Sequence, residues 1–171
     1  IETYVGVQTE VDRLVTLLEK HRDRHSEEYF YEVRAKVPRD PLARAARIIF
    51  LNKTCYNGLY RENRKGQFNA PFGRYKNPAI CDADNLRAVA GALSHAKLEC
   101  RHFRDVLKHA QKGDLVYFDP PYHPVSKTAS FTGYDKSGFG EDSQILLAMV
   151  FEELTDRGVN ALLSNSMTGF V

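Results

Sequence analysis

The sequence predicts an α/β fold, and three observations predict it. Short apolar runs at Leu98 to Phe103, Leu115 to Phe118 and Ala161 to Leu163 have the length of strands and alternate with helical segments, the order that builds a parallel sheet. Ahead of them, apolar residues recur at helical spacing. The composition, 43% hydrophobic and 27% charged over 171 residues, is that of one globular domain.

The elements follow in chain order. Val7, Val11, Leu14, Val15 and Leu18 lie on one face of a first helix. Ser26, followed by Glu27 and Glu28, opens a second, with Tyr29, Phe30 and Val33 as its apolar stripe. Asp40 before Pro41 opens a third, to about Lys53: the carboxylate caps free N–H groups, and proline at the first helical position loses no hydrogen bond. From Cys55 to Pro78, three glycines and two prolines with no sustained period predict a long loop or hairpin, a connection uncommon unless it has a function. Asp82 caps a fourth helix through Leu86, Val89 and Leu93. Between the first two predicted strands a helical turn falls near Val106 and Leu107, and a longer helix, about Asp142 to Asp156, precedes the last strand.

Several classes are excluded. The apolar share is too high and the net charge of +2 too small for a disordered chain. No apolar run approaches the roughly 20 residues that span a bilayer, and no secretory leader is recognisable. Cys55, Cys81 and Cys100 are widely spaced, so neither a disulfide framework nor a metal site is expected, and a reducing, cytoplasmic setting is.

The charge is unevenly placed. Between Pro41 and Ile80 stand Arg44, Arg47, Lys53, Arg61, Arg64, Lys65, Arg74 and Lys76 against the single acid Glu62, a charge of +7 that leaves −5 for the rest. Phe50, Tyr56, Tyr60, Phe68, Phe72 and Tyr75 and the amides Asn57, Asn63, Gln67 and Asn69 are interleaved with them. Cations neutralise phosphates, aromatic faces stack on bases, and amides and guanidinium groups bond base edges, so the segment suits nucleic acid. A solvated helix face followed by a polar loop is the alternative.

The chemistry centres on Asp119-Pro120-Pro121-Tyr122, directly after the strand Leu115 to Phe118, where open parallel sheets bind their ligands. An exocyclic amine on a nucleobase is a poor nucleophile because its lone pair is delocalised into the ring. Two acceptors that hold both N–H bonds out of the ring plane reduce that conjugation. Asp119 supplies a carboxylate and Pro120 a main-chain carbonyl, which the two prolines hold in place by fixing φ. Tyr122 can stack on an extruded base. A rigid strand exit with no chemistry is the competing reading.

These motifs resemble the Dam-type (D12 class) DNA adenine N6-methyltransferases from about Tyr31 to Ser166. The blocks that carry the resemblance are Asn52 to Tyr60, Arg61 to Tyr75, Asp119 to Pro124 and Leu163 to Ser166, in the family's order. The resemblance implies part of a Rossmann-like parallel sheet with an inserted helical and hairpin target-recognition region. It implies a helix of the catalytic domain at residues 1–25, target recognition at 26–96 and an incomplete catalytic subdomain at 97–171. It also implies transfer of a methyl group from S-adenosylmethionine to adenine N6 in double-stranded DNA, commonly within GATC, by base flipping; a monomer is expected.

By position, Tyr56 is similar to a residue inserted into the base stack and Asn57 to one near the flipped adenine. Arg61 matches a reader of a target guanine, Leu59 and Pro71 match apolar base contacts, and Asn63 and Arg74 match phosphate contacts. Asn69 belongs to the same DNA-facing set. Ser126, Thr128, Phe131 and Tyr134 resemble a loop that closes on DNA, and Phe103 sits where the family packs a side chain on the cofactor's adenine ring. His102 stands where many relatives have a polar or acidic residue.

One family feature is missing. The glycine-rich turn and the acidic residue that hold the cofactor are absent, the one Gly-x-Gly being Gly138-Phe139-Gly140, which follows no strand. The expectation is therefore an internal piece of a longer protein that, as these 171 residues alone, binds cofactor weakly or not at all. The alternatives are a non-catalytic DNA-binding module, or the same chemistry on cytosine N4 or RNA adenine. Cytosine C5 transfer is excluded, since the nucleophilic cysteine after proline is absent.

Overall fold

The structure, a computed structural model, describes residues 1–123 and 139–169. The chain divides into two compact units, Ile1–Cys100 and Arg101–Val171.

The first unit is built on helices α1 (Glu2–Asp23), α2 (Glu27–Ala35), α3 (Pro41–Thr54) and α4 (Ala83–Leu93). Three start where the side-chain chemistry places them: Ser26 Oγ accepts from Tyr29 N, Asp40 from Ala43 N and Asp82 from Asn85 N. Helix α1 is longer than its apolar stripe and is interrupted at Glu10 (φ −141°, ψ 38°). It approaches α3 so closely that a Cβ on Gly6 would stand 3.0 Å from Leu42 Cδ1. The Glu2 carboxylate grips the Arg44 guanidinium through two bonds, Nε to Oε2 at 2.8 Å and a terminal nitrogen to Oε1 at 2.7 Å.

Helix α3 is the centre of this unit because it feeds two cores. Leu42, Ala45 and Ala46 pack with Val7, Leu14 and Leu18 of α1, while Phe50 and Leu51 pack with Phe30, Cys55, Phe68, Ala70 and Ile80. A fully buried Leu or Phe contributes about 1.5–3 kcal/mol, so this second cluster ties the loop after α3 to the helices. Arg47, 6% exposed, turns inward: Nε donates to Val33 O at 2.9 Å and a terminal nitrogen to Arg34 O at 2.7 Å, closing the carbonyl end of α2.

The second unit holds β1 (Leu115–Phe118), α5 (Glu141–Asp156) and β2 (Asn160–Leu163). The two strands pair in parallel, Leu115 opposite Asn160 through Phe118 opposite Leu163, with α5 as the connection. Phe118, Leu147, Val150, Leu154 and Val159 form the core beneath them.

The predicted strand at Leu98 to Phe103 does not form. A strand exists only when a neighbour takes its backbone bonds, and among the described residues β1 pairs with β2 alone. The chain is instead wound at its end into a 3-10 turn, Phe103–Lys108, capped by His102, whose Nδ1 accepts from Arg104 N at 3.2 Å. This turn contains the predicted Val106 and Leu107. The architecture is thus mixed helix with a small parallel sheet, compatible with the α/β class. No helix of the described residues is long and apolar enough to cross a membrane.

Candidate functional site

The second unit carries the candidate chemistry at the end of β1. Asp119, Pro121 and Tyr122 are exposed, and Pro120 is half-buried. The residues after β2 clamp this loop. Ser164 Oγ donates to Asp119 Oδ1 at 2.9 Å and lies 2.6 Å from the Tyr122 hydroxyl. Since a carboxylate only accepts, the one serine hydrogen goes to Asp119 and Tyr122 donates to Ser164. Asn165 Oδ1 accepts from His123 N at 3.0 Å, and Gln144 Nε2 donates to Pro121 O at 3.0 Å. Among the described residues, no donor reaches the Pro120 carbonyl or the second Asp119 oxygen. Among the described residues, a carboxylate oxygen and a peptide carbonyl oxygen therefore stand without a donor on a braced backbone.

Beside them is a cavity of about 400 Å³ bounded by His102, Phe103, Phe118, Asp119, Pro120 and Phe139, among others. Phe103 meets Phe139 edge-on at 5.7 Å between ring centres and has His102 stacked against it at 4.4 Å. His102 is accordingly both the cap of the 3-10 turn and part of the cavity wall.

The first unit carries the basic segment. Two isolated antiparallel bridges, Cys55 with Phe72 and Glu62 with Phe68, make the region after α3 a hairpin-like loop. Its base is closed by Tyr56 N to Pro71 O at 2.9 Å and Gly73 N to Thr54 O at 2.8 Å. Gly73 permits this closeness, since a Cβ there would come within 2.8 Å of Cys55 O. A turn at Tyr56–Gly58 follows, with Asn57 (φ 55°) and Gly58 (φ 62°) in the left-handed region. Tyr56 and Leu59 project from it, 56% and 54% exposed, so Leu59 is not a core residue.

Arg61 is exposed but oriented: Nε donates to Asn69 Oδ1 at 2.9 Å and a terminal nitrogen to Asn69 O at 3.3 Å. Asn63 shapes the turn that follows. Its Oδ1 accepts from Lys65 N and Gln67 N, and its Nδ2 donates to Gln67 Oε1 at 3.0 Å. Pro71 and Arg74 are exposed, Arg74 with φ 53°. Of the eight cations in the segment, Arg44 is held by Glu2 and Arg47 is buried, which leaves Lys53, Arg61, Arg64, Lys65, Arg74 and Lys76 facing solvent. Burial, followed by the bond to Glu62, pushes the Tyr60 hydroxyl up to about 12, so it stays a donor at neutral pH.

The structure thus brings Asp119 to Tyr122 together with the Phe103 cavity, and Tyr56, Asn57, Leu59, Arg61, Asn69, Pro71 and Arg74 onto one hairpin-like loop and its flank. Ser126, Thr128, Phe131 and Tyr134 lie outside the described residues. Sequence reasoning assigned no role to Ser164, Asn165 or Gln144. A signal was present for Gln144, a polar residue in register with Leu147, Val150 and Leu154 on the apolar face of α5.

The sequence model of the D12 class N6 adenine-specific DNA methyltransferases matches residues 1–171. The Type II methyltransferase M.MjaIII of Methanocaldococcus jannaschii is 45% identical over 175 residues, covering 95% of this chain and 61% of the relative. The Type II methyltransferase M1.LlaDCHI of Lactococcus lactis subsp. cremoris is 39% identical over 175 residues, 97% of this chain and 61% of its own length. The DNA adenine methylase of Escherichia coli K12 is 39% identical over 143 residues, 82% and 51% of the two chains. The chain therefore spans between half and two thirds of the length of these relatives. A match along the whole chain, together with a braced Asp-Pro-Pro-Tyr exit after a parallel strand, leads to one conclusion: the chain belongs to the D12 class of N6 adenine-specific DNA methyltransferases.

Proposed function

We propose that the chain carries the target-recognition and amine-activating parts of a site-specific methyltransferase. The reaction moves a methyl group from S-adenosylmethionine to adenine N6 in duplex DNA, within GATC, with the target base flipped out. On this reading residues 26–96 form the target-recognition region and 97–171 part of a catalytic subdomain of Rossmann-like type. The observation that carries it is a pair of acceptors that no donor among the described residues reaches, the Pro120 carbonyl and the second Asp119 oxygen, on neighbouring residues of a braced loop.

Each acceptor takes one N–H of the amine and pulls it from the ring plane, which returns the lone pair to nitrogen. Ser164 holds the carboxylate in one orientation before substrate arrives. Tyr122, 49% exposed, offers its ring face to the flipped base while its hydroxyl is anchored. On the DNA side, Tyr56, Asn57 and Leu59 meet the opened stack, Arg61 reads a guanine from the orientation Asn69 gives it, Pro71 contacts a base, and Arg74 and Asn63 approach phosphates.

The residues present also suit the cofactor. The cavity is within the roughly 300–1,000 Å³ range of ligand clefts, Phe103 and Phe139 line it with aromatic surface, and Asp119 stands at its edge. S-adenosylmethionine, when bound, supplies an electrophilic methyl group on its sulfonium.

The test is methyl transfer by the full-length protein into duplex DNA with and without GATC, wild type beside Asp119→Ala. The expected result is label in adenine of GATC duplex, abolished by the substitution. No label in adenine, or label in cytosine or RNA instead, overturns the proposal.

A further inference from the structure

We infer that Gln144 and Asn165 are positioning residues for Tyr122, acting as a two-amide splint across its backbone. This rests on the functional reading above, in which the Tyr122 ring stacks on the flipped base. Gln144 Nε2 donates to Pro121 O at 3.0 Å; Gln144 Oε1 accepts from Asn165 Nδ2 at 2.9 Å; Asn165 Oδ1 accepts from His123 N at 3.0 Å. The two peptide groups gripped at the ends of this chain are those on either side of Tyr122. One fixes the peptide plane before it and the other the plane after it, so both its φ and its ψ are bounded while its ring is left exposed.

The splint has a direction. The carbonyl at one end demands a donor and the N–H at the other demands an acceptor, so only one orientation of each amide satisfies the chain. Asn165 is itself oriented by a second bond, from Ser166 N at 2.9 Å, and Gln144 is 8% exposed on the apolar face of α5, where water competes little for its amide. A hydrophobic residue would fill that space; a directed amide does more.

The isosteric variant Gln144→Glu tests the direction. As a carboxylate it sets an oxygen against the Pro121 carbonyl, and as a neutral acid it regains a donor. In the full-length protein, kcat for Gln144→Glu at about pH 8 is expected to fall between about 10-fold and about 100-fold, the scale of a displaced reacting group. The KM for S-adenosylmethionine should stay within about twofold, since the splint does not line the Phe103 wall. The loss should shrink as pH falls towards about 6 and the buried acid is protonated. Fluorescence of 2-aminopurine at the target position should rise in the variant as stacking on Tyr122 loosens. Asn165→Leu, which removes the acceptor of the His123 N–H, reads the same chain from its other end if Gln144→Glu does not fold, and the double variant should lose little more than the worse single one.

An active wild type whose variants match it in kcat, or lose activity additively and equally at every pH, overturns the splint. A wild type that methylates no adenine overturns the functional reading instead, and amide exchange at His123, faster in Asn165→Leu, which takes away the acceptor of its N–H, only if the splint is real, then separates the two failures.

Discussion

Removing Lys65 and removing Arg44 should affect DNA binding differently, although both lie in the same +7 segment. The structure divides the eight cations into two that serve the fold and six that face solvent. With Arg61 assigned to a base, five remain for phosphates: Lys53, Arg64, Lys65, Arg74 and Lys76. Each phosphate neutralised contributes about −0.9 to the slope of log affinity against log salt, so five contribute up to about −4.5. Raising salt from about 50 to about 200 mM should then weaken binding by up to roughly 500-fold. Lys65→Gln should flatten the slope by about 0.9, a factor near 3.5 over the same interval. Arg44→Gln should leave the slope unchanged, because its guanidinium is already neutralised by Glu2. Fluorescence anisotropy of a labelled GATC duplex, titrated with the full-length protein at several salt concentrations, reads both numbers. A wild-type slope shallower than about −2, or an Arg44→Gln slope as flat as that of Lys65→Gln, would refute the division of charge.

Other perturbations separate the remaining roles. Ser164→Ala removes a bond to a carboxylate worth about 1.5–3 kcal/mol, so kcat should drop by roughly 10- to 150-fold with Tm little changed; a drop under about threefold would show that Asp119 needs no orienting group. Arg47→Met leaves the Val33 and Arg34 carbonyls without their donors and should cost about 2–5 kcal/mol in urea denaturation, whereas a loss below about 1 kcal/mol would mean that water replaces the guanidinium. Arg61→Ala should lower discrimination at one target guanine by about 1–3 kcal/mol, and Asn69→Ala should reproduce part of that loss; an unchanged ratio of kcat/KM between GATC and the substituted site removes Arg61 as the reader. Burial holds the pKa values of His21 and His25 below the usual 6.5, so the unfolded chain takes up protons first as pH falls. The stability these rings provide is complete above about pH 6.5 and is lost progressively below it, and His21→Phe should flatten the fall in Tm between about pH 7.5 and about pH 5.5.

What could be read from the sequence depended on how local its cause was. The capping bonds of Ser26, Asp40 and Asp82 span three residues each, and all three helix starts were legible. The strand expected at Leu98 to Phe103 was not, because strand formation is decided by a partner elsewhere in the chain. The charge count was legible but its use was not: Arg47 shares the inward face of α3 with Phe50 and Leu51, a placement that a sum over residues hides. Asn63 is a related case, since composition does not encode the bonds by which its amide shapes the turn through Lys65 and Gln67. At the acceptor loop, Asp119 to Tyr122 could be found from their motif. Ser164, Asn165 and Gln144 could not, because their bonds to that loop run between 23 and 45 residues along the chain.

The pairing of Phe118 with Leu163 has a consequence for how this protein can vary. Asp119 and Ser164 are each the first residue past their strand, so their meeting is counted off by the ladder in whole residues. Sliding β2 by one position would turn Ser164 to the opposite face and bring an aliphatic or an amide side chain to the carboxylate. Single-residue insertions or deletions within Leu115–Phe118 or Asn160–Leu163 should therefore abolish transfer, which makes strand length the least negotiable dimension of this site.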